Sequence, residues 1–231
     1  MPDAEAERDR TDERKEKRSG PISRNRIESL SDLIFGLALS VGALTLVAQP
    51  PTSPDEMSVR IIAFAFNFMV LIAIWIQYTT VMSRLPVETG RIVFANILLL
   101  LLIILMTYLI NGIQFNNPPI PIPAPTALAA FSSQLYGLDL AGVAAIVAFL
   151  SNHLSLEKEH LLSQEYLQYA RLTRNLLALF AVVFLITALP QMWDWKIAGQ
   201  VPLRLALWWV PLIGTIWLNV TYFRNPPDRR E

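Results

Sequence analysis
The sequence predicts an all-α membrane protein with six transmembrane helices, on three observations. Of its 231 residues, 53% are hydrophobic and only 16% are charged, a skewed mixture for a soluble chain of this length. The charges are segregated: they crowd into the N-terminal stretch, one central loop and the C-terminus, leaving the long stretches between almost bare. Six of those stretches approach the roughly 20 apolar helical residues that cross about 30 Å of hydrocarbon. Only a helix or a closed barrel satisfies its backbone in lipid, and the alternating pattern of barrel strands is missing.

The opening stretch MPDAEAERDRTDERKEKRSG has no apolar core, so it is neither a signal peptide nor a span. Residues 1–25 read as a disordered cytoplasmic tail, in which Gly20-Pro21 stops any local helix. The six apolar segments run over residues 28–48, 59–83, 91–113, 126–151, 172–190 and 202–222. Proline-bearing breakers stand between them: QPPTSP, RLPVETG, NNPPIPIPAP and PQMWDWKIAGQVP, each suited to a loop. Residues 26–223 therefore form one six-helix transmembrane domain, with 224–231 a second cytoplasmic tail.

Positive charge orients the bundle. Arg14, Lys15, Lys17, Arg18, Arg24 and Arg26 precede the first span, Arg84 and Arg91 flank the second loop, and Lys158, Arg171 and Arg174 belong to the fourth. With Arg224, Arg229 and Arg230 they fall on one side, whereas the opposite loops carry only Arg60, Lys196 and Arg204 near their ends. The positive-inside rule then puts both termini in the cytoplasm. Trp193, Trp195, Trp208 and Trp209 cluster around the last outer loop, as an aromatic belt would.

Several classes of function are excluded or disfavoured. With no cysteine there is no disulfide, thiolate catalysis or Cys-ligated metal. A basic surface and a nucleic-acid motif are both missing, so no nucleic-acid partner is expected. No Ser-His-Asp set, catalytic carboxylate pair or phosphate-cradling loop can be assembled, which argues against an enzyme. Glu157 and His160 have the Glu-x-x-His spacing of di-metal bundles, but no second copy exists. With His153 they read as a solvated helix extension, and no metal site or cofactor is expected. Asp139 is an acid inside an apolar segment, which suggests function by default. An interfacial position near the start of its helix is the alternative.

At about 100° per residue, Leu30, Leu33, Leu37, Ser40, Leu44 and Val47 share one face of the first segment. Gly36, Ala38, Gly42 and Ala43 are small enough for close helix approach. A leucine-rich packing face on an ordinary span would look the same. Around a symmetry axis, the face becomes a mostly apolar lining with one hydroxyl ring. No internal repeat is evident, so contributing one helix to a symmetric ring is the simpler route to a pore.

Arg26, Leu30, Ser31 and Asp32, in RIESLSD, resemble the R-x-x-x-F-S-D signature of the transmembrane protein 175 family, the endolysosomal potassium channels and their bacterial and archaeal relatives. Leu30 stands where phenylalanine is usual. IAIWIQY in the second segment, ANILLLLLI in the third and QLYG in the fourth are similar to the single-repeat prokaryotic members. The resemblance implies a potassium channel in a prokaryotic plasma membrane: a homotetramer with the first helix of each subunit around a central pore. No T-V-G-Y-G-like loop is present to build a carbonyl filter, in keeping with that family.

In the family a bulky aliphatic residue five positions after the motif Asp forms the narrowest ring, and a hydroxyl residue three further on contributes to potassium preference. Those positions are Leu37 and Ser40 here, with Leu33 and Leu44 on the same face and Leu44 a candidate second constriction. Serine in place of the common threonine implies weaker discrimination, so other monovalent cations are candidate permeants. The resemblance also implies a supporting network of Arg26, Leu30, Ser31 and Asp32 with a Trp and a His of the second helix. Trp75 matches; Gln77 and Tyr78 occupy the vicinity of the His. Arg26 and Asp32 are six positions apart, about 240° around a helix, so they must reach other helices or subunits. Ser29 or Ser31 capping the helix, with Asp32 in its first turn, remains open. A small secondary transporter or a membrane scaffold is the rival reading.

Overall fold
A computed structural model describes residues 24–48, 51, 53–85, 90–113, 127–157, 164–197 and 201–224. The expectations for residues 1–23, for the proline-rich third loop, for His160 and for the tail beyond Arg224 lie outside the described residues. Six long helices form: α1 (Arg24–Ala48), α2 (Pro54–Met82), α3 (Gly90–Gly112), α4 (Ala127–Glu157), α5 (Gln164–Thr187) and, after a short α6 (Gln191–Asp194), α7 (Leu203–Arg224). The first five are long and apolar enough to cross a membrane, while the apolar part of α7 is the shorter run Leu203–Trp217.

Contacts between helices set an up-and-down order. Ser31 meets Tyr78, and Gly42 faces Asn67, so α1 and α2 are antiparallel. Gly112 lies against Ser132 and Gly142 against Leu102, which reverses α4 on α3. Asn152 accepts a bond from Arg174 at 3.0 Å while Gly137 faces Thr187, reversing α5 on α4. Gly137 has a steric reason. A Cβ there would stand 3.2 Å from Thr187 Oγ1 and 3.4 Å from the Phe184 carbonyl oxygen, and buried Ala141, Ala144 and Ala148 continue the small-residue strip.

The helices overrun the apolar segments that announce them. The second begins at Pro54 rather than residue 59: Ser53 caps it, accepting from Glu56 N at 3.2 Å, and Glu56 pairs with Arg60 one turn on. α4 continues to Glu157 and α5 starts at Gln164, since helical backbone need not stop where the apolar run does. α1 starts at Arg24, taking the last two residues of the expected tail. The stretch PQMWDWKIAGQVP is more than a loop. It holds α6 and a two-residue antiparallel ladder, β1 (Lys196–Ile197) on β2 (Val201–Pro202), closed by Leu203 N bonding Trp195 O at 2.7 Å.

Two residues that follow the last loop, near the start of α7, are not where hydropathy puts them. Trp208 is 2% exposed: it packs on Tyr136 (centroids 4.9 Å apart) and donates Nε1–H to Thr187 Oγ1 at 3.1 Å, so it belongs to the core and not to a belt. Trp195 and Trp209 are exposed, as a belt requires. Arg204 is fully buried, donating to Ser133 Oγ and, at 2.6 Å, to Leu189 O. It ties the start of α4, the turn after α5 and the start of α7, and these bonds offset the desolvation of the guanidinium. Ser133→Ala is expected to cost about 1–3 kcal/mol, because Arg204 stays buried and loses an acceptor. An unchanged unfolding midpoint in detergent would refute this.

Candidate functional site
α1 and α2 are the least enclosed of the five long apolar helices, and the two faces of α1 differ in kind. Ile27, Ser31, Phe35, Ala38 and Gly42 turn inward and are buried against the rest of the protomer. Gly42 earns its place there, since a Cβ would already touch Phe64, Asn67 and Thr107. Gly36 has nothing within 4 Å of such a Cβ, and Ala43 is exposed, so only half of the small residues serve close approach.

On the outward face, Leu33 is 69% exposed, Leu37 55% and Leu44 64%, with Leu30, Gly36 and Ser40 exposed beside them. They form one stripe at i, i+3, i+4 and i+7 spacing that is exposed along its length. Ser40 donates its hydroxyl proton to Gly36 O at 2.8 Å, which leaves oxygen lone pairs as acceptors.

Behind the stripe, two contacts tie α1 to α2. Trp75 Nε1 donates to Asp32 Oδ1 at 3.0 Å. One residue earlier, completely buried Ser31 lies 2.6 Å from the hydroxyl of Tyr78, which in turn donates to Asn96 Oδ1 at 2.8 Å. Ser31 also reaches Ile27 O at 2.8 Å. Two hydroxyl protons thus serve three contacts. When Tyr78 donates to Asn96, Ser31 must divide its single proton between Tyr78 and its own backbone. The chain runs through three helices and fixes the rotation of α1 against α2 and α3.

The candidates from the sequence separate on these coordinates. Ser31, Asp32 and Trp75 come together. Arg26 is exposed and, among the described residues, makes no hydrogen bond or ion pair; Leu30 lies on the stripe. Gln77 is buried, lining a cleft between α2, α4, α5 and α7, because two positions rotate it about 200° from Trp75. Asn96 is the addition, and Tyr78, named beside Gln77 only as a neighbour of the His position, takes the contact with Ser31. Their signal was a polar residue inside an apolar run, but nothing in the chain paired them. The capping reading fails: α1 begins at Arg24, roughly two turns before Ser31, and Ser31 bonds a carbonyl and a phenol rather than a helix-start N–H.

Asp139 is not at the start of its helix. It sits roughly 18 Å along α4 from Ala127 at 1.5 Å per residue, is 4% exposed, and neither carboxylate oxygen has a hydrogen-bond partner among the described residues. His153 is half-buried with its ring edge on Phe149, centroids 4.8 Å apart. Among the described residues no three His, Asp or Glu side chains gather to hold a metal.

Residues 26–106, which span α1, α2 and most of α3, match the family described as endosomal/lysosomal potassium channel TMEM175. Over 86% of this chain and 97% of the other, the fold is similar to the crystal structure of a lysosomal potassium-selective channel TMEM175 homolog from Chamaesiphon minutus, with a TM-score of 0.58 at 17% identity. No curated protein matches the chain. The resemblance that RIESLSD carries therefore holds by sequence over the first three helices, and by fold over nearly the whole chain.

Proposed function
We propose that this chain is a potassium-permeable cation channel, a homotetramer in which the exposed α1 stripe of each subunit lines a central pathway, with both termini cytoplasmic. One observation carries the proposal: the family match begins on the helix whose outward face, Leu33, Leu37, Ser40 and Leu44, is exposed in the protomer. Brought to a shared axis, four copies of Leu37 close the path by bulk and apolarity, since a partly dehydrated ion finds no replacement oxygens there. Ser40, about one turn away, offers a ring of hydroxyl oxygens once the leucines part. Leu44 is a second constriction further along. Asp32–Trp75 and Ser31–Tyr78–Asn96 hold α1 from behind and set its rotation, and a small departure from that rotation opens the ring.

The transporter alternative calls for broken spanning helices near mid-membrane. Among the described residues the five long apolar helices run unbroken, and Pro211 in α7 is the proline inside a helix. Purified protein in liposomes tests the choice. A channel passes potassium down its gradient alone, whereas saturable uptake coupled to a second ion would overturn the proposal. The mass of the detergent complex tests the tetramer directly. For the hydroxyl ring, Ser40→Thr adds a methyl group and is expected to raise the potassium-to-sodium permeability ratio by roughly two- to fivefold, under about 1 kcal/mol of discrimination. A ratio equal to that of the parent would remove Ser40 from selectivity.

A further inference from the structure
Away from the α1 stripe, a half-open cleft of about 50 Å³ lies between α2, α4, α5 and α7. Its walls are Val70 and Ala73 of α2, Leu140 and Ala144 of α4, Phe180 of α5 and Leu212 of α7. At one end stands an aromatic lock: Phe66 stacks on Trp208 with centroids 6.3 Å apart and lies 5.0 Å from Trp209. Gly214 lets the Phe180 ring press against the α7 backbone, where a Cβ would stand 2.6 Å from Phe180 Cζ. Ring and cleft wall are therefore one surface.

The chemistry of the lining selects its occupant. Gln77 and Thr215 are the polar residues on it; Thr215 gives its hydroxyl proton to Pro211 O at 2.8 Å, and Gln77 is already engaged. No charged side chain lines the cleft, so neither an ion nor a lipid headgroup gains anything by entering. Water would find almost no partners, and an empty apolar space forfeits the dispersion contacts of its walls. Three of the four lining helices, α2, α4 and α5, are long and apolar enough to cross a membrane and α7 adds the apolar run Leu203–Trp217, so a mouth opening sideways between them meets hydrocarbon. An acyl tail enters without desolvation and restores those contacts.

We propose that this cleft is a binding site for one acyl chain of a bilayer phospholipid, which fills the seam between α7 and the rest of the bundle. The site owes nothing to the pore reading, and its test measures no ion flux.

The full-length protein in nanodiscs of phosphatidylcholine carrying a mid-chain diazirine is photolysed, and the adducts are mapped. Leu179 and Val182 on the outer face of α5 are 57% and 52% exposed and should label in any case. The proposal requires additional adducts on the buried wall at Val143, Ala144 or Val147. Ala144→Phe and, separately, Ala73→Phe should cut wall labelling severalfold while leaving the outer-face adducts intact. Labelling of Leu179 and Val182 with a bare wall in the wild type would overturn the site, as would wall labelling that neither filling substitution reduces. The wild-type map decides by itself should either variant fold poorly.

Discussion
Replacing Leu37 with alanine is expected to raise closed-state potassium leak by about tenfold, corresponding to ~1.4 kcal/mol off the barrier to passage. In the proposed tetramer the substitution removes aliphatic bulk from four subunits at one level, so the constriction widens enough for an ion to keep more of its water. Leu37 is more than half exposed in the protomer, so truncation there creates no core cavity. Fold and leak are consequently separable. Flux from potassium-loaded liposomes reads the effect, with the thermal midpoint as control. The same leak as the parent at the same midpoint would take Leu37 out of the gate. Leu44→Ala, two turns along the stripe, should give a smaller rise if it forms the second constriction.

Tyr78→Phe is the second large effect. It preserves the ring, including its packing on Phe35 with centroids 5.9 Å apart, and deletes only the hydroxyl that joins Ser31 to Asn96. Asn96 is 3% exposed, and its Oδ1 is left without its phenol donor, so the expected loss is about 1–3 kcal/mol. The functional readout is more specific. Loosening α1 behind the stripe should change how often the pathway opens, yet Ser40 is untouched and the potassium-to-sodium ratio should stay at the parental value. An unchanged midpoint together with unchanged flux would show that the bond does nothing. A shifted ion ratio would show instead that the network shapes the pathway itself.

Different parts of the molecule were legible to different degrees. The apolar segments place all six long helices, since a lipid-embedded span must satisfy its backbone within itself and so announces itself locally. RIESLSD and Trp75 point to each other through a resemblance, and the 3.0 Å contact between Asp32 and Trp75 lies where that pairing expects it. Trp208 and Arg204 were misread for one reason: hydropathy beside a loop says interface, whereas α7 is set so that both side chains turn inward onto Thr187 and Ser133.

The one-dimensional pattern by itself determined that the chain is membrane-embedded, how many long helices it forms, and that α1 carries an aliphatic stripe with one hydroxyl. Only the tertiary structure decided that this stripe is the uncovered face, that Tyr78 rather than Gln77 meets Ser31, and that Asp139 lies deep in α4. The physical reason is one of range. Helix formation and hydrophobicity sum along a segment, but the partner of a buried hydroxyl or guanidinium depends on the rotation and axial offset of two helices. Those are set by side-chain packing across the bundle, at contacts such as Gly137 on Thr187 and Gly42 on Asn67.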